Sequence, residues 1–167
     1  MIYIEVPSIP ISANAAYAKK RGSGARILTE KGRRYKKETT NHIVRAYPQE
    51  LKFFQKNVPY QLLVHFTFGS EVELLNKGYP ATAESRYKKN DVTNRMKLFE
   101  DALCDATGTD DSQHFVVTLM KAVGEEDCTR LWAWNLEKEP HNAISNVIDT
   151  LLCISEAESD GVVPVVS

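Results

Sequence analysis

The stretch that most constrains this chain is Asn90–Gln113, NDVTNRMKLFEDALCDATGTDDSQ. On a helix of 3.6 residues per turn, Val92, Met96, Phe99, Leu103 and Ala106 align as one apolar stripe that demands a core to pack on. Asn94, Lys97, Asp101 and Asp105 fall on the opposite side. Asp91 stands where a carboxylate suits the unpaired N–H groups and the positive end of the dipole. Gly108 follows the last turn, as a C-terminal glycine does. Two carboxylates, Asp110 and Asp111, then precede a β-branched run. The stripe explains the helix, but it does not explain the polar face or the acidic pair at its exit.

Hard divalent cations take oxygen ligands and keep waters beside one or two carboxylates. A lysine beside such a pair can hold a phosphate or steady a departing oxygen. Asp91, Asp111 and Lys97 therefore suit a metal-assisted phosphodiester-cleaving site. A solvated helix face followed by an acidic turn is the other reading of the same pattern, and the pattern alone leaves both open.

The rest of the chain supplies a domain to carry this element. At 167 residues with 43% hydrophobic content, one domain with a core is expected. Ile2–Val6 alternates as a strand, stopped by Pro7 and Pro10. Residues 12–25 are small, glycine-containing and basic, and read as a loop. Thr29 can cap a helix running to about Tyr47, with Tyr35, Thr39, Ile43 and Ala46 as its inner face. Tyr60–Phe68 reads as a strand, with His65 as a structural histidine. Residues 69–90 show no period and read as a long substrate-contacting flap. Phe115–Val123 and Arg130–Leu136 read as a hairpin about Gly-Glu-Glu-Asp, with Trp132 and Trp134 on one face for core or dimer packing. Pro140 opens a last amphipathic helix, followed by a tail from Ser155. The order predicts an α+β or α/β fold: a small mixed β-sheet with helices packed against it. Residues 1–139 form the main domain, and 140–167 pack on it or on a dimer partner. The three cysteines form no CxxC pair and read as free thiols of a reducing compartment. No apolar run is long enough to span a membrane, and the expected location is cytoplasmic.

Charge is unevenly placed. The net value is −1, yet residues 17–56 hold twelve Lys or Arg against three Glu. Lys19, Lys20 and Arg21 lie in the basic loop. Arg33, Arg34, Lys36 and Lys37 crowd the first turns of a helix, where basic residues oppose the dipole. Arg86, Lys88 and Lys89 sit just before Asp91. A basic stripe beside an acidic pocket suits a phosphate backbone held next to bound cations; exposed solvated surface is the plainer alternative.

The central stretch resembles the RusA family of Holliday-junction resolvases, small metal-dependent endonucleases of bacteria and their phages. The family's run is Asp-x-Asp-Asn-x-x-Lys-x-x-x-Asp-Ala-Leu, then Asp-Asp-x-Gln after a short gap. This chain has Asp91, Asn94, Lys97, Asp101, Ala102 and Leu103 in that order and spacing, then Asp110, Asp111 and Gln113. Lys121 fits a further family lysine. Pro10, Ser12 and Asn14 resemble the family's opening, and Thr29, Gly32 and Tyr35 its helix start. The resemblance runs from about Ile4 to Leu136. Thr93 stands where the family has its second aspartate, and Asn90 where it tends to have a basic residue.

The resemblance implies cleavage of branched DNA, above all four-way junctions, in recombination and repair by a homodimer with one site per subunit. It implies Mg²⁺, or Mn²⁺, held by Asp91 and Asp111 with help from Asp110 or Asp101. The Thr93 hydroxyl would stand in for a carboxylate without its charge. Lys97 would contact the scissile phosphate and Asn94 would orient a ligand or water. The implied setting is a bacterial cell, with a phage or prophage origin. A nuclease of flaps or forks, and a DNA-binding homologue with a decayed site, are the alternatives.

Overall fold

The computed structural model describes residues 1–20, 22–69 and 92–138, with Ser145, Ile148 and Thr150 of a later helical stretch. Strand β1 (Ile2–Val6) leads into a single helical turn α1 (Ala13–Ala16) and two short strands, β2 (Tyr17–Lys19) and β3 (Arg26–Leu28). Helix α2 (Glu30–Ala46) and a 3₁₀ turn (Glu50–Phe53) precede β4 (Tyr60–Phe68). Helix α3 (Val92–Thr107), a second 3₁₀ turn (Asp111–Gln113), β5 (His114–Val123) and β6 (Cys128–Asn135) complete the described elements. The expected flap over 70–90, most of the C-terminal helix, and the tail lie outside the described residues, as do Arg21, Arg86, Lys88, Lys89, Asp91 and Cys153.

Four strands form a mixed sheet in the order β1-β6-β4-β5, with β4 and β5 parallel and the other pairs antiparallel. The fold is therefore α+β, as expected. The expected β5–β6 hairpin is not formed, because β4 lies between the two strands. All nine residues of β4 are buried, so this strand needs a partner on each edge. The Gly124–Asp127 segment crosses the end of β4 instead of folding into a local turn. Gly124 N–H donates to the Phe68 carbonyl at 2.9 Å, and Gly69 N–H donates to Asp127 Oδ1 at 2.9 Å. A Cβ at Gly69 would lie 2.9 Å from the Glu126 Cα, and one at Gly124 would collide with the Thr67 methyl. The crossing thus requires glycine on both sides of it.

One sheet face carries Ile4, Val6, Leu62, Val64, Phe66, Leu131 and Ala133, all buried with Ile43 of α2 and Met96, Phe99 and Leu103 of α3. Phe99 meets Phe66 edge-on at 6.5 Å. This is the stripe predicted for the central helix, and each such side chain contributes about 1.5–3 kcal/mol through burial. On the other face Leu63, Trp132 and Trp134 are buried with Tyr3 and Met120 packed on them, so the tryptophans belong to the core.

Residues 12–25, expected to be a loop, hold α1, β2 and the turn that pairs β2 with β3 in register Tyr17↔Leu28 and Lys19↔Arg26. Thr29 clamps this hairpin to α2. Its hydroxyl donates to the Ala15 carbonyl at 2.9 Å, and its oxygen accepts from Gly32 N–H at 3.2 Å as the helix cap. Gly32 lets the two segments touch, since a Cβ there would sit 2.6 Å from the Ala16 carbonyl oxygen. Tyr35, Thr39 and Ile43 face inward as expected, whereas Ala46 is exposed.

Candidate active site

Thr93, Lys97, Asp101 and Asp105 follow one another at four-residue intervals, one ridge of α3 on the side away from the sheet. Helix α3 ends at Gly108, whose φ of +70° reverses the chain and whose N–H closes on the Cys104 carbonyl at 2.9 Å. The acidic turn that follows is a rigid corner. Asp110 accepts from Ser112 N–H at 3.0 Å, and the Gln113 side-chain oxygen accepts from Asp110 N–H at 3.3 Å. The Gln113 amide donates to the carbonyls of Gln55 and Val58, both at 2.9 Å, which stitches the corner to the approach of β4. Glu100 of α3 meets the buried His114 at 2.7 Å and fixes the start of β5.

This corner aims Asp111 back at α3. Lys97 Nζ lies 2.8 Å from Asp111 Oδ2 and 3.1 Å from Asp101 Oδ1. Lys97 and Asp111 are each about half exposed, at 48% and 49%, so the group is open to a ligand. The hydrogen bond to Asp111 holds the Lys97 ammonium well above the ordinary lysine range against the opposing effect of partial burial, and Asp101 adds to it. The hydrogen bonds from Ser112 keep the exposed Asp110 carboxyl below the usual range. Burial, and then the negative charges of Glu100, Asp111, Asp101 and Asp110, push the Cys104 thiol up to about 11, so it is no nucleophile at neutral pH.

Of the sequence-predicted residues, the structure brings together Lys97, Asp101 and Asp111, with Asp110 adjoining and turned toward Ser112. Thr93 and Asn94 lie one turn before Lys97. Asp91 lies outside the described residues, and among those described no three His, Cys, Asp or Glu side chains converge as a ready metal cage. The donors that are present are carboxylate and hydroxyl oxygens, the set a hard divalent cation takes, and Lys97 already draws two carboxylates around one positive centre. The residues fit such an ion.

The basic residues flank this group. Lys36 reaches from α2 to Asp105 at 2.8 Å, and with Arg33, Lys37 and Thr40 it lines a hollow of about 270 Å³ between the helices. Arg33 also donates to the Leu28 carbonyl at 2.8 Å, and Arg34 lies 3.8 Å from Glu38. Lys19, Lys20 and Arg26 are exposed on the β2–β3 hairpin. Sequence reasoning missed Tyr17, whose hydroxyl donates to Asp101 Oδ2. It also missed Arg95, which donates to the Pro10 carbonyl and lies over the Phe68 ring at 5.2 Å. Sequence reasoning also passed over the capping role of the Asp110–Gln113 corner, whose signal is the D-x-x-Q spacing.

The group is oxygen-rich and lysine-centred, stands on an α+β scaffold and is flanked by arginines and lysines, a chemistry compatible with phosphate esters. A family model described as Endodeoxyribonuclease RusA matches residues 7–131, most of the chain, and the chain belongs to this family. Its members are nucleases of branched DNA that depend on divalent metal. No curated protein matches the chain. No helix among the described residues is long and apolar enough to cross a membrane.

Proposed function

We propose that this chain hydrolyses phosphodiester bonds at four-way DNA junctions, in recombination and repair, with Mg²⁺ or Mn²⁺ held by Asp91 and Asp111. Asp110, Asp101 and the Thr93 hydroxyl support the ion, directly or through water. The observation that carries this reading is the contact of Lys97 with both Asp111 and Asp101 on an exposed edge of α3. A bound divalent cation supplies positive charge at the phosphate and eases deprotonation of water there. Lys97 stays protonated, and an ammonium has three N–H donors. Asp111 and Asp101 accept two, and the third serves a non-bridging or departing oxygen of the scissile phosphate. Asn94, one turn earlier on α3, orients a ligand or water. The rigid corner at Asp110–Gln113 keeps the Asp111 carboxylate from following the substrate as it moves.

Lys19 and Lys20 of the hairpin, Arg21 next in sequence, Arg33, Arg34, Lys36 and Lys37 of α2, and Arg86, Lys88 and Lys89, which precede α3 in sequence, hold the phosphate backbone. Lys36–Asp105 and Tyr17–Asp101 support this reading, since they tie the basic elements to the helix that carries the site. Two sites in a homodimer suit a four-way junction, which needs paired nicks. The nuclease domain spans residues 1–139, with 140–167 as an extension, and the protein acts in the cytoplasm of a bacterial cell, where a phage or prophage is a fitting source.

The test is a gel assay on four-way, forked and linear DNA, each with and without Mg²⁺. The expected result is nicking that requires metal and favours the four-way form. Preferred cutting of forks would convert the reading to a flap or fork nuclease. Junction binding without cutting at any Mg²⁺ or Mn²⁺ concentration would overturn the enzyme, and Thr93 would then mark a decayed site.

A further inference from the structure

We infer that Tyr17 is a positioning residue for Lys97, so that the β2–β3 hairpin sets the geometry of the active-site lysine through Asp101. The inference rests on the nuclease reading for its catalytic consequence, and on the contacts for everything else. Tyr17 is the first residue of β2, and its hydroxyl crosses to α3 to donate to Asp101 Oδ2. Asp101 Oδ1 is the oxygen that Lys97 contacts at 3.1 Å, and Lys97 continues to Asp111 at 2.8 Å. The two oxygens of one carboxylate therefore have different partners, and the tyrosine fixes which way the carboxylate plane turns. Without that hydroxyl, Asp101 is free to rotate, and Lys97 has a single fixed partner instead of two.

The other end of this connection is anchored equally firmly. Tyr17 pairs with Leu28, the residue before Thr29, and Thr29 clamps α1 to the start of α2 against Gly32. Lys19 and Arg26 pair on the same two strands, with Lys20 next to them. A phosphate backbone that engages these cations acts on the strand that holds Tyr17. The hairpin thus links occupancy by DNA to the placement of Lys97, which a free basic loop would not do.

The experiment compares wild type, Tyr17→Phe, Asp101→Asn and the double variant on a four-way DNA junction. It measures single-turnover cleavage at saturating enzyme, junction affinity, and the ¹⁵N side-chain resonance of Lys97, assigned by its loss in Lys97→Arg. Tyr17→Phe keeps the ring and its packing, and is expected to slow cleavage about tenfold, the scale of outer partners of an active group, with affinity within about twofold. Asp101→Asn should slow it similarly, the double variant should be no slower than the slower single variant, and the Lys97 resonance should lose its order in both single variants. A wild-type rate in Tyr17→Phe, multiplied losses in the double variant, or a slowed Tyr17→Phe with an unaltered Lys97 resonance would each overturn the inference. If the wild type cuts no junction, the junction-cleavage reading fails. The Lys97 resonance then decides alone: disorder in Tyr17→Phe supports the positioning role, and an unchanged signal overturns it.

Discussion

Helices α2 and α3 pack side by side on one face of the sheet, yet their outward charges are organised differently. On α2, Arg34 extends into solvent with a loose partner: the Arg34–Glu38 pair is 3.8 Å apart with both side chains at least 70% exposed. A pair of that kind contributes only about 0–1 kcal/mol. On α3, Lys97 touches two carboxylates at 2.8 and 3.1 Å, and a tyrosine from another element fixes one of them. Charge left loose suits a polyanion whose phosphates have no single position. Charge gathered onto one nitrogen suits a reaction at one atom.

The comparison breaks most easily at Asp111. Asp111→Asn keeps the shape of the corner and removes the carboxylate that Lys97 contacts, and cleavage should fall on the order of 10²–10³-fold. Cleavage assayed in Mg²⁺ at the wild-type rate would mean the gathered charge has no chemical role. A smaller effect is expected at Thr93, on the same ridge. Thr93→Asp adds a negative charge toward the ion and should lower the Mg²⁺ concentration for half-maximal cutting several-fold, unless repulsion among the carboxylates prevents it. Coincident titrations for the two proteins would place Thr93 outside the metal's reach.

Much of this arrangement was legible in the chain. The α3 stripe, its Gly108 stop, the Thr29 cap and the β4 run are each written in local periodicity and turn chemistry, and the structure reproduces them. The β2–β3 hairpin was not legible, because strands of only three residues each are too short to show an alternation. The β5–β6 hairpin was misread for a different reason. Its turn signal is local, whereas the requirement that wins, two partners for a fully buried β4, is set by the whole sheet. Tyr17 and Asp101 lie 84 positions apart, so no window of sequence connects them.

A gentler probe of the gathered charge is pH. The folded-state pKa of Lys97 is raised, so the stability its ion pairs add is fully present below the ordinary lysine value of 10.5 and is lost only as pH rises through the higher folded value. The difference in urea midpoint between wild type and Lys97→Met should therefore stay constant from neutral pH to about 9 and shrink only in stronger alkali. A difference that fades between pH 7 and 9 would show that Lys97 is not held by its carboxylates. The smallest effect belongs to α2. Lys37→Ala should weaken binding about equally for junction, forked and linear DNA and reduce the slope of log affinity against log salt by about one. An unchanged slope would make Lys37 ordinary solvated surface.

The division of labour between the two helices is tested most directly by measuring junction affinity and saturating cleavage rate side by side in Asp111→Asn and in the Arg33→Ala/Lys37→Ala double variant. The account predicts that the first keeps affinity and loses the rate, while the second loses affinity and keeps the rate once enzyme saturates the DNA. Loss of both quantities together in either protein would contradict it.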